Sequence, residues 1–134
     1  MTLVDAGPLV ALLSSGDGRH EICQAAVRTI RGPLVTVWPV LTETLHLLRA
    51  SWEAQDAVWD MMEQERLKLL PLDAGDVPRM RELMRKYRDL PMDMADAALV
   101  TVAEREGITR VFTLDRRGFE VYRPAKIGRF SLVP

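Results

Sequence analysis

Short runs of apolar residues alternate along this chain with longer segments whose apolar residues recur at helical spacing. This alternation predicts an α/β domain, because parallel strands are joined by helices that cross over and pack on the sheet. We expect a single domain over residues 1–134, with a mostly parallel central sheet of four to five strands flanked by helices. The predicted strands are residues 2–4, 34–37, 67–70 and 110–114, and the tail 127–134 is a candidate for a fifth strand at the edge.

Helices are predicted between these strands, with ends marked by residues that start or stop a helix. Pro39 suits the first turn of one helix, and Gly107 directly follows the last residue of another. A polar helix with an apolar stripe comes between the second and third strands. The other helical segments are near residues 6–13, about 19–31, about 76–88 and 93–106.

Composition limits the classes of protein that remain. Eighteen basic residues against nineteen acidic ones leave a net charge of −1, which argues neither for nor against a nucleic-acid partner. The single cysteine, Cys23, excludes an internal disulfide framework, fits a reducing compartment and is predicted to be buried. The chain shows no signal peptide and no apolar stretch of membrane-spanning length, so we expect a cytoplasmic protein with no membrane partner.

The segment DLPMDMADAALV, residues 89–100, places two carboxylates at the start of an apolar helix. Asp93 and Asp96 are three residues apart and therefore lie on the same side of that helix. No Lys or Arg occurs between Asp89 and Glu104 to neutralise them. Because an unpaired buried charge is costly, some other group must compensate these acids.

Four acids border apolar elements that are predicted to meet at one edge of the sheet. Asp5 and Asp115 follow strands, Glu43 lies early in a helix, and Asp96 lies in the segment above. At about 4 Å and an effective dielectric of about 20, each pair would repel by about 4 kcal/mol. A hard divalent cation relieves such repulsion, and carboxylates are the ligands that Mg²⁺ or Mn²⁺ prefers.

Each acid also has a local structural interpretation that the sequence leaves open. These are helix N-caps for Asp5 and Asp93, a solvated surface position for Glu43, and a turn residue paired with Arg116 or Arg117 for Asp115. Glu43 and His46 also match the Glu-x-x-His pair of di-iron helical bundles, but that site needs a second pair. His20, the only other histidine, lacks the spacing, so we predict that His46 is a core or interface residue.

Four segments together resemble a known family: LVDAGPLVALL, LTETLHLLR, LPMDMADAALVTVAEREG and VFTLDRRGFEVYR. In order and spacing they resemble the acidic motifs of the PIN-domain ribonucleases, most closely the toxin subunit of VapBC toxin–antitoxin modules. The resemblance covers nearly the whole chain. One departure is that Ala6 and Gly7 follow Asp5, where the family often has a hydroxyl residue.

The resemblance implies a site made of Asp5, Glu43, Asp96 and Asp115, with Asp93 as an auxiliary acid. Asp5 and Asp96 would be the main ligands of Mg²⁺ or Mn²⁺, Asp115 would complete the site, and Glu43 would orient or deprotonate the attacking water. Since the site repels RNA, nearby basic residues must position the strand. The candidates are Arg85, Lys86, Arg88, Arg116 and Arg117, although the helix that carries the first two could equally present a solvated face.

The implied function is that of a metal-dependent endoribonuclease, the toxin of a type II pair, which is neutralised by a small antitoxin. Two alternatives remain: a PIN-domain nuclease in RNA processing or quality control without an antitoxin, and a non-catalytic module that binds RNA or protein. A homodimer is expected as well, from the family likeness and from more large apolar residues than one core needs. These are Trp52, Trp59, Met61 and Met62.

Overall fold

The computed structural model describes residues 1–134 as a five-stranded parallel sheet flanked by helices, with strand order β3-β2-β1-β4-β5. The strands are β1 (Thr2–Val4), β2 (Leu34–Thr36), β3 (Leu67–Leu69), β4 (Arg110–Phe112) and β5 (Ser131–Val133). The helices are α1 (Ala6–Leu13), α2 (His20–Val27), α3 (Trp38–Leu47), α4 (Trp52–Glu63), α5 (Val77–Lys86), α6 (Met94–Glu106) and α7 (Arg116–Val121), with a 3-10 helix at Ala74–Asp76.

The centre of the sheet is apolar and places the ends of its strands side by side. Leu3 of β1 is paired with Val35 of β2 and with Val111 of β4, and all three are buried. The backbone N–H of Asp5 donates to the carbonyl of Phe112 at 3.0 Å. The residues that follow β1 and β4 therefore leave the sheet at the same edge.

Helix α6 is the most buried helix, since residues 95–103 are all shielded from solvent. Its small side chains allow close packing, and it contacts both α3 and α5. Asp93 is its N-cap, and Gly107 ends it with a φ of 69°, a left-handed conformation that suits glycine. The helix thus carries Asp96 into the protein from its first turn.

The fold confirms the predicted α/β class and the mostly parallel sheet, including the edge strand in the tail. The predicted end of α2 is wrong, because the backbone N–H groups of Thr29 and Ile30 bond to carbonyls three residues back and close the helix as a tight turn. Helix α7 was not predicted. With only six residues it is too short for a periodic apolar pattern.

The four large apolar residues expected to exceed the needs of the core divide into two pairs. Trp52 and Trp59 are 64% and 39% exposed, in line with that expectation, whereas Met61 and Met62 pack against the core and depart from it. His46 is exposed, which excludes the core alternative, and its place in an interface stays a prediction. Cys23 is fully buried, as predicted. None of the seven helices is both long and apolar enough to cross a membrane.

Candidate active site

A cavity of about 480 Å³ opens beside the carboxyl ends of β1 and β4. Its wall contains every acid singled out in the sequence, brought together from four separate elements. Asp5 follows β1, Glu43 lies on α3, Asp93 and Asp96 begin α6, and Asp115 precedes α7. The other residues of the wall are Ala6, Gly7, Pro91 and Leu114.

Asp5 is held by two hydrogen bonds on the inner side of the cavity. Its Oδ1 accepts from the N–H of Ala6 at 2.8 Å, which makes it the N-cap of α1. Its Oδ2 accepts from the hydroxyl of Thr113 at 3.1 Å. Burial raises the pKa of Asp5 to about 6, aided by the charges of Glu43 and Asp93 and opposed by both hydrogen bonds.

Asp93 and Asp96 form a reciprocal capping box at the start of α6. Oδ1 of Asp93 accepts from the N–H of Asp96 at 2.8 Å, and Oδ2 of Asp96 receives a long contact from the N–H of Asp93 at 3.5 Å. Asp93 itself is exposed, whereas Asp96 is only 8% exposed. The cap predicted for Asp93 is therefore present, and the same residue also borders the cavity.

Asp96 is the least exposed acid of the group. The hydroxyl of Tyr122 donates to its Oδ2 at 2.9 Å. Burial, followed by the charges of Asp93 and Asp5, nevertheless raises the pKa of Asp96 to about 7. Burial and the charge of Asp96 likewise raise the pKa of Tyr122, so its hydroxyl stays protonated and acts as the donor.

Asp115 caps α7 and is tied to the end of β4. Its Oδ1 accepts from the N–H of Gly118 at 3.2 Å, and its own N–H donates to the hydroxyl of Thr113 at 3.0 Å. Arg116 pairs with Glu120 at 3.2 Å instead of with Asp115, and Arg117 forms no salt bridge. The alternative in which Arg116 or Arg117 pairs with Asp115 is therefore wrong.

Glu43 stands where the acidic cavity meets a larger apolar groove of about 680 Å³, and it lines both. Its side chain is exposed, as the surface interpretation predicted. Burial of its inner part, followed by the charge of Asp93, raises the pKa of Glu43. The groove also carries Trp38 and Met94, which are 51% and 56% exposed.

The chemistry of the donor set fits a hard divalent cation. Five carboxylates line the cavity, and its wall contains no Lys, Arg or His. As they stand, no three of these acids are arranged closely enough to hold a metal ion. Instead, Asp5, Asp96 and Asp115 each accept a hydrogen bond from a different group of the protein. The cavity therefore offers carboxylate ligands that are not yet arranged around one point.

Comparison with known proteins decides the family. Residues 2–124 match the PIN domain. The chain belongs to the PIN-domain family. This PIN domain is 28% identical to Ribonuclease VapC26 of Mycobacterium tuberculosis, over 98% of its own length and 99% of the relative's.

Solved structures share the fold. The sarcin-ricin loop cleaving toxin VapC20 of Mycobacterium tuberculosis superposes with a TM-score of 0.79 at 20% identity, covering 87% of the PIN domain and 91% of the toxin. A toxin–antitoxin complex from Klebsiella pneumoniae gives a TM-score of 0.71 at 13% identity, covering 90% and 92%. At sequence identities of 20% and 13%, these two structures show that the fold is shared and nothing further.

The basic residues predicted to contact RNA are absent from the cavity wall and adjoin wall residues along the chain. Arg116 and Arg117 follow Asp115 at the start of α7. The other three precede Pro91 of the cavity wall, and all five are exposed. They are Arg85, Lys86, Arg88, Arg116 and Arg117. Their position is compatible with phosphate contacts, which stay a prediction.

Two side chains of this PIN domain that contact the acids were missed in the sequence. Thr113 directly follows β4 and lies two residues before Asp115. A hydroxyl residue so near a predicted site acid could have been predicted to form a hydrogen bond at the site. Tyr122 lies at the far end of the unpredicted helix α7, so nothing in its local sequence indicated a contact with Asp96.

Proposed function

We propose that this PIN domain is a divalent-metal-dependent endoribonuclease that acts in the cytoplasm as the toxin of a type II toxin–antitoxin pair. The observation that carries the proposal is the cavity lined by five carboxylates and no basic side chain. Buried acids with raised pKa values, such as Asp5 and Asp96, persist in folded proteins mainly where function uses their charge. The relative named a ribonuclease supports the same chemistry.

The proposed role of each acid follows from how deeply its carboxylate lies in the cavity and from the hydrogen bonds that the carboxylate already accepts. Asp5 and Asp96 are the innermost acids and would hold Mg²⁺ or Mn²⁺, with Asp115 completing the set from the β4 side. When bound, the cation supplies Lewis-acid activation of water and neutralises charge on the phosphodiester. Glu43 is exposed at the cavity edge and would orient the attacking water and accept its proton. Asp93 serves first as the cap that orients α6.

RNA would approach the acidic cavity along its basic surroundings. The exposed basic residues that precede Pro91 and those at the start of α7 provide positive charge for phosphate contacts, which position a strand without reading its sequence. The open cavity favours unpaired RNA, because a phosphodiester of a flexible strand can reach recessed carboxylates more easily than one in a duplex.

A small antitoxin and a second copy of the chain are the proposed protein partners. The Klebsiella pneumoniae structure is a toxin–antitoxin complex with this fold, which supports the antitoxin. An arginine of the antitoxin would compensate the carboxylates in place of the cation. The exposed apolar residues support protein contacts, including a homodimer. They are Trp38, Trp52, Trp59 and Met94.

Cleavage of a single-stranded RNA by the purified protein tests the proposal. We expect hydrolysis with Mg²⁺ or Mn²⁺, none with EDTA, and none by Asp5→Asn in any buffer. Asp60→Asn is the matched control. Asp60 is an exposed acid on α4 that forms a salt bridge with Arg66, so its replacement should leave cleavage unchanged. Full activity in EDTA would contradict the metal mechanism, and no cleavage with either metal would favour a binding module.

A further inference from the structure

Tyr122 contacts the acidic site although it is not one of the acids, and it lies in the segment of Asp115 rather than in that of Asp96. Its side chain is 1% exposed, and its hydroxyl donates to Oδ2 of Asp96 at 2.9 Å. The only other contact to the carboxylate of Asp96 comes from the N–H of Asp93, at 3.5 Å to the same oxygen. Oδ1 of Asp96 has no hydrogen-bond donor within the protein.

The ring of Tyr122 is locked in place by aromatic neighbours. The ring centroid of Tyr87 lies 5.0 Å away at an interplanar angle of 64°, and that of Phe119 lies 5.2 Å away at 78°. Tyr87 is itself fixed, because its hydroxyl accepts from the N–H of Arg123 at 2.9 Å. Edge-to-face packing on two sides prevents the phenol from swinging, so the hydroxyl has one position.

Gly118 leaves the space that this hydroxyl occupies. A Cβ on Gly118 would lie 3.0 Å from the hydroxyl oxygen of Tyr122 and 2.7 Å from Oδ2 of Asp115. The same glycine donates its N–H to Oδ1 of Asp115. Helix α7 thus holds two acids at once, Asp115 through its first turn and Asp96 through the tyrosine that follows its end.

We propose that Tyr122 is a positioning residue of the carboxylate site: its hydroxyl binds Oδ2 of Asp96 and leaves Oδ1, which has no donor within the protein, available to a cation. This inference rests on the proposed function, because it assigns a role toward the metal. Outer partners that orient a ligating carboxylate typically change metal affinity or activity by about 10- to 100-fold when they are removed. Tyr122 is too deeply buried to contact RNA directly.

Tyr122→Phe removes the hydroxyl and keeps the ring. We expect the affinity for Mn²⁺, measured by calorimetry or by electron paramagnetic resonance of free Mn²⁺, to fall by about 10-fold or more. At saturating Mn²⁺, we expect kcat for RNA cleavage to fall while KM for RNA stays within about twofold, since phosphate contacts are untouched.

Tyr87→Phe is the matched control. It also removes a buried tyrosine hydroxyl from the same aromatic cluster, but that hydroxyl bonds to a backbone N–H and contacts no acid. We expect it to lower the melting temperature and to leave Mn²⁺ affinity and kcat unchanged. A purely structural role for Tyr122 would make the two variants behave alike.

A second variant covers the case in which Tyr122→Phe does not fold. Gly118→Ala keeps the hydroxyl but displaces it together with Asp115, and should lower Mn²⁺ affinity by a similar factor. Binding is measured below the melting temperature of each variant, established by circular dichroism. Equal Mn²⁺ affinity for wild type and Tyr122→Phe would overturn the role of Tyr122 alone, whereas a wild type that binds no Mn²⁺ would overturn both this inference and the proposed function.

Discussion

The hydroxyl of Thr113 donates a hydrogen bond to Oδ2 of Asp5 at 3.1 Å, across a sequence separation of 108 residues. The same hydroxyl accepts the N–H of Asp115 at 3.0 Å. One buried threonine therefore joins the acid that follows β1 to the acid that follows β4. This link fixes the distance between two acids whose like charges would otherwise push them apart.

Replacing Thr113 by valine should destabilise the protein. The change keeps the shape of the side chain, but it removes a hydrogen bond to a buried carboxylate and leaves the N–H of Asp115 without its partner. We expect the free energy of unfolding near neutral pH to fall by about 1–3 kcal/mol, measured by urea denaturation. Thr113→Ser retains the hydroxyl and should lose much less. Equal losses for the two variants would show that the methyl group, not the hydroxyl, matters.

Asp96→Asn should distinguish the effect of the Asp96 charge on protein stability from its effect on metal binding and RNA cleavage. Asn keeps an oxygen that can accept from Tyr122 while removing a charge that burial and two neighbouring acids disfavour. In EDTA we expect the variant to be as stable as wild type or more stable, by about 1 kcal/mol. We also expect it to lose RNA cleavage and the stabilisation by Mn²⁺, which for wild type is about 2.7 kcal/mol at 100 times the dissociation constant.

Asp76→Asn is the control for that variant. Asp76 is an acid in a salt bridge with Arg105 at 2.8 Å, and a backbone hydrogen bond from Asp73 is the main cause of its lowered pKa. Its removal should destabilise the protein and leave the response to Mn²⁺ intact. If Asp96→Asn behaves like Asp76→Asn, the ligand role of Asp96 is wrong and its carboxylate is a structural acceptor only.

The stability of the metal-free protein should fall as the pH rises. The pKa values of Asp5 and Asp96 are raised to about 6 and about 7, above those of the unfolded chain, so the folded protein binds protons that the unfolded chain has already released. This contribution is fully present below about pH 4 and is lost as the pH passes through about 6 and 7. For Asp5 alone the loss is about 3 kcal/mol.

Thermal melts in EDTA at about pH 5 and about pH 8 measure this loss. The double variant Asp5→Asn and Asp96→Asn should show a much smaller difference between the two pH values. Acids with lowered pKa values, Asp76 and Glu104, act in the opposite direction but titrate below this window. A metal-free wild type that becomes more stable toward pH 8 would contradict the raised pKa values.

Trp52→Ser should weaken self-association without weakening the fold. Trp52 is 64% exposed, so it contributes little to the core, and a large exposed apolar side chain is typical of an interface. We expect light scattering at micromolar concentration to show a dimer for the wild type and a shift toward monomer for the variant. The melting temperatures of the two proteins should be close when they are compared at the same fraction of monomer. Glu53→Gln, at the neighbouring exposed position, should leave the dimer unchanged. A wild-type monomer at that concentration would contradict the dimer.

The order of elements and the approximate place of the acids could be predicted from local sequence, because strands, caps and turns depend on neighbours along the chain. Asp5, Asp93 and Asp115 proved to be N-caps and also lie in one cavity, so their local and functional interpretations are compatible. The convergence of the acids was predictable as well, since parallel strands end at a common edge.

Tertiary structure alone decided which side chains support those acids and which apolar residues stay exposed. The contacts of Thr113 with Asp5 and of Tyr122 with Asp96 join segments far apart in the chain, and no local pattern specifies such a pair. Burial of Asp96 beside two other acids, which raises its pKa, likewise depends on how α6 packs against α3 and α5. Local sequence determines what each segment can form; long-range packing determines the dielectric environment and the hydrogen-bond partners, and these set the chemistry of the cavity.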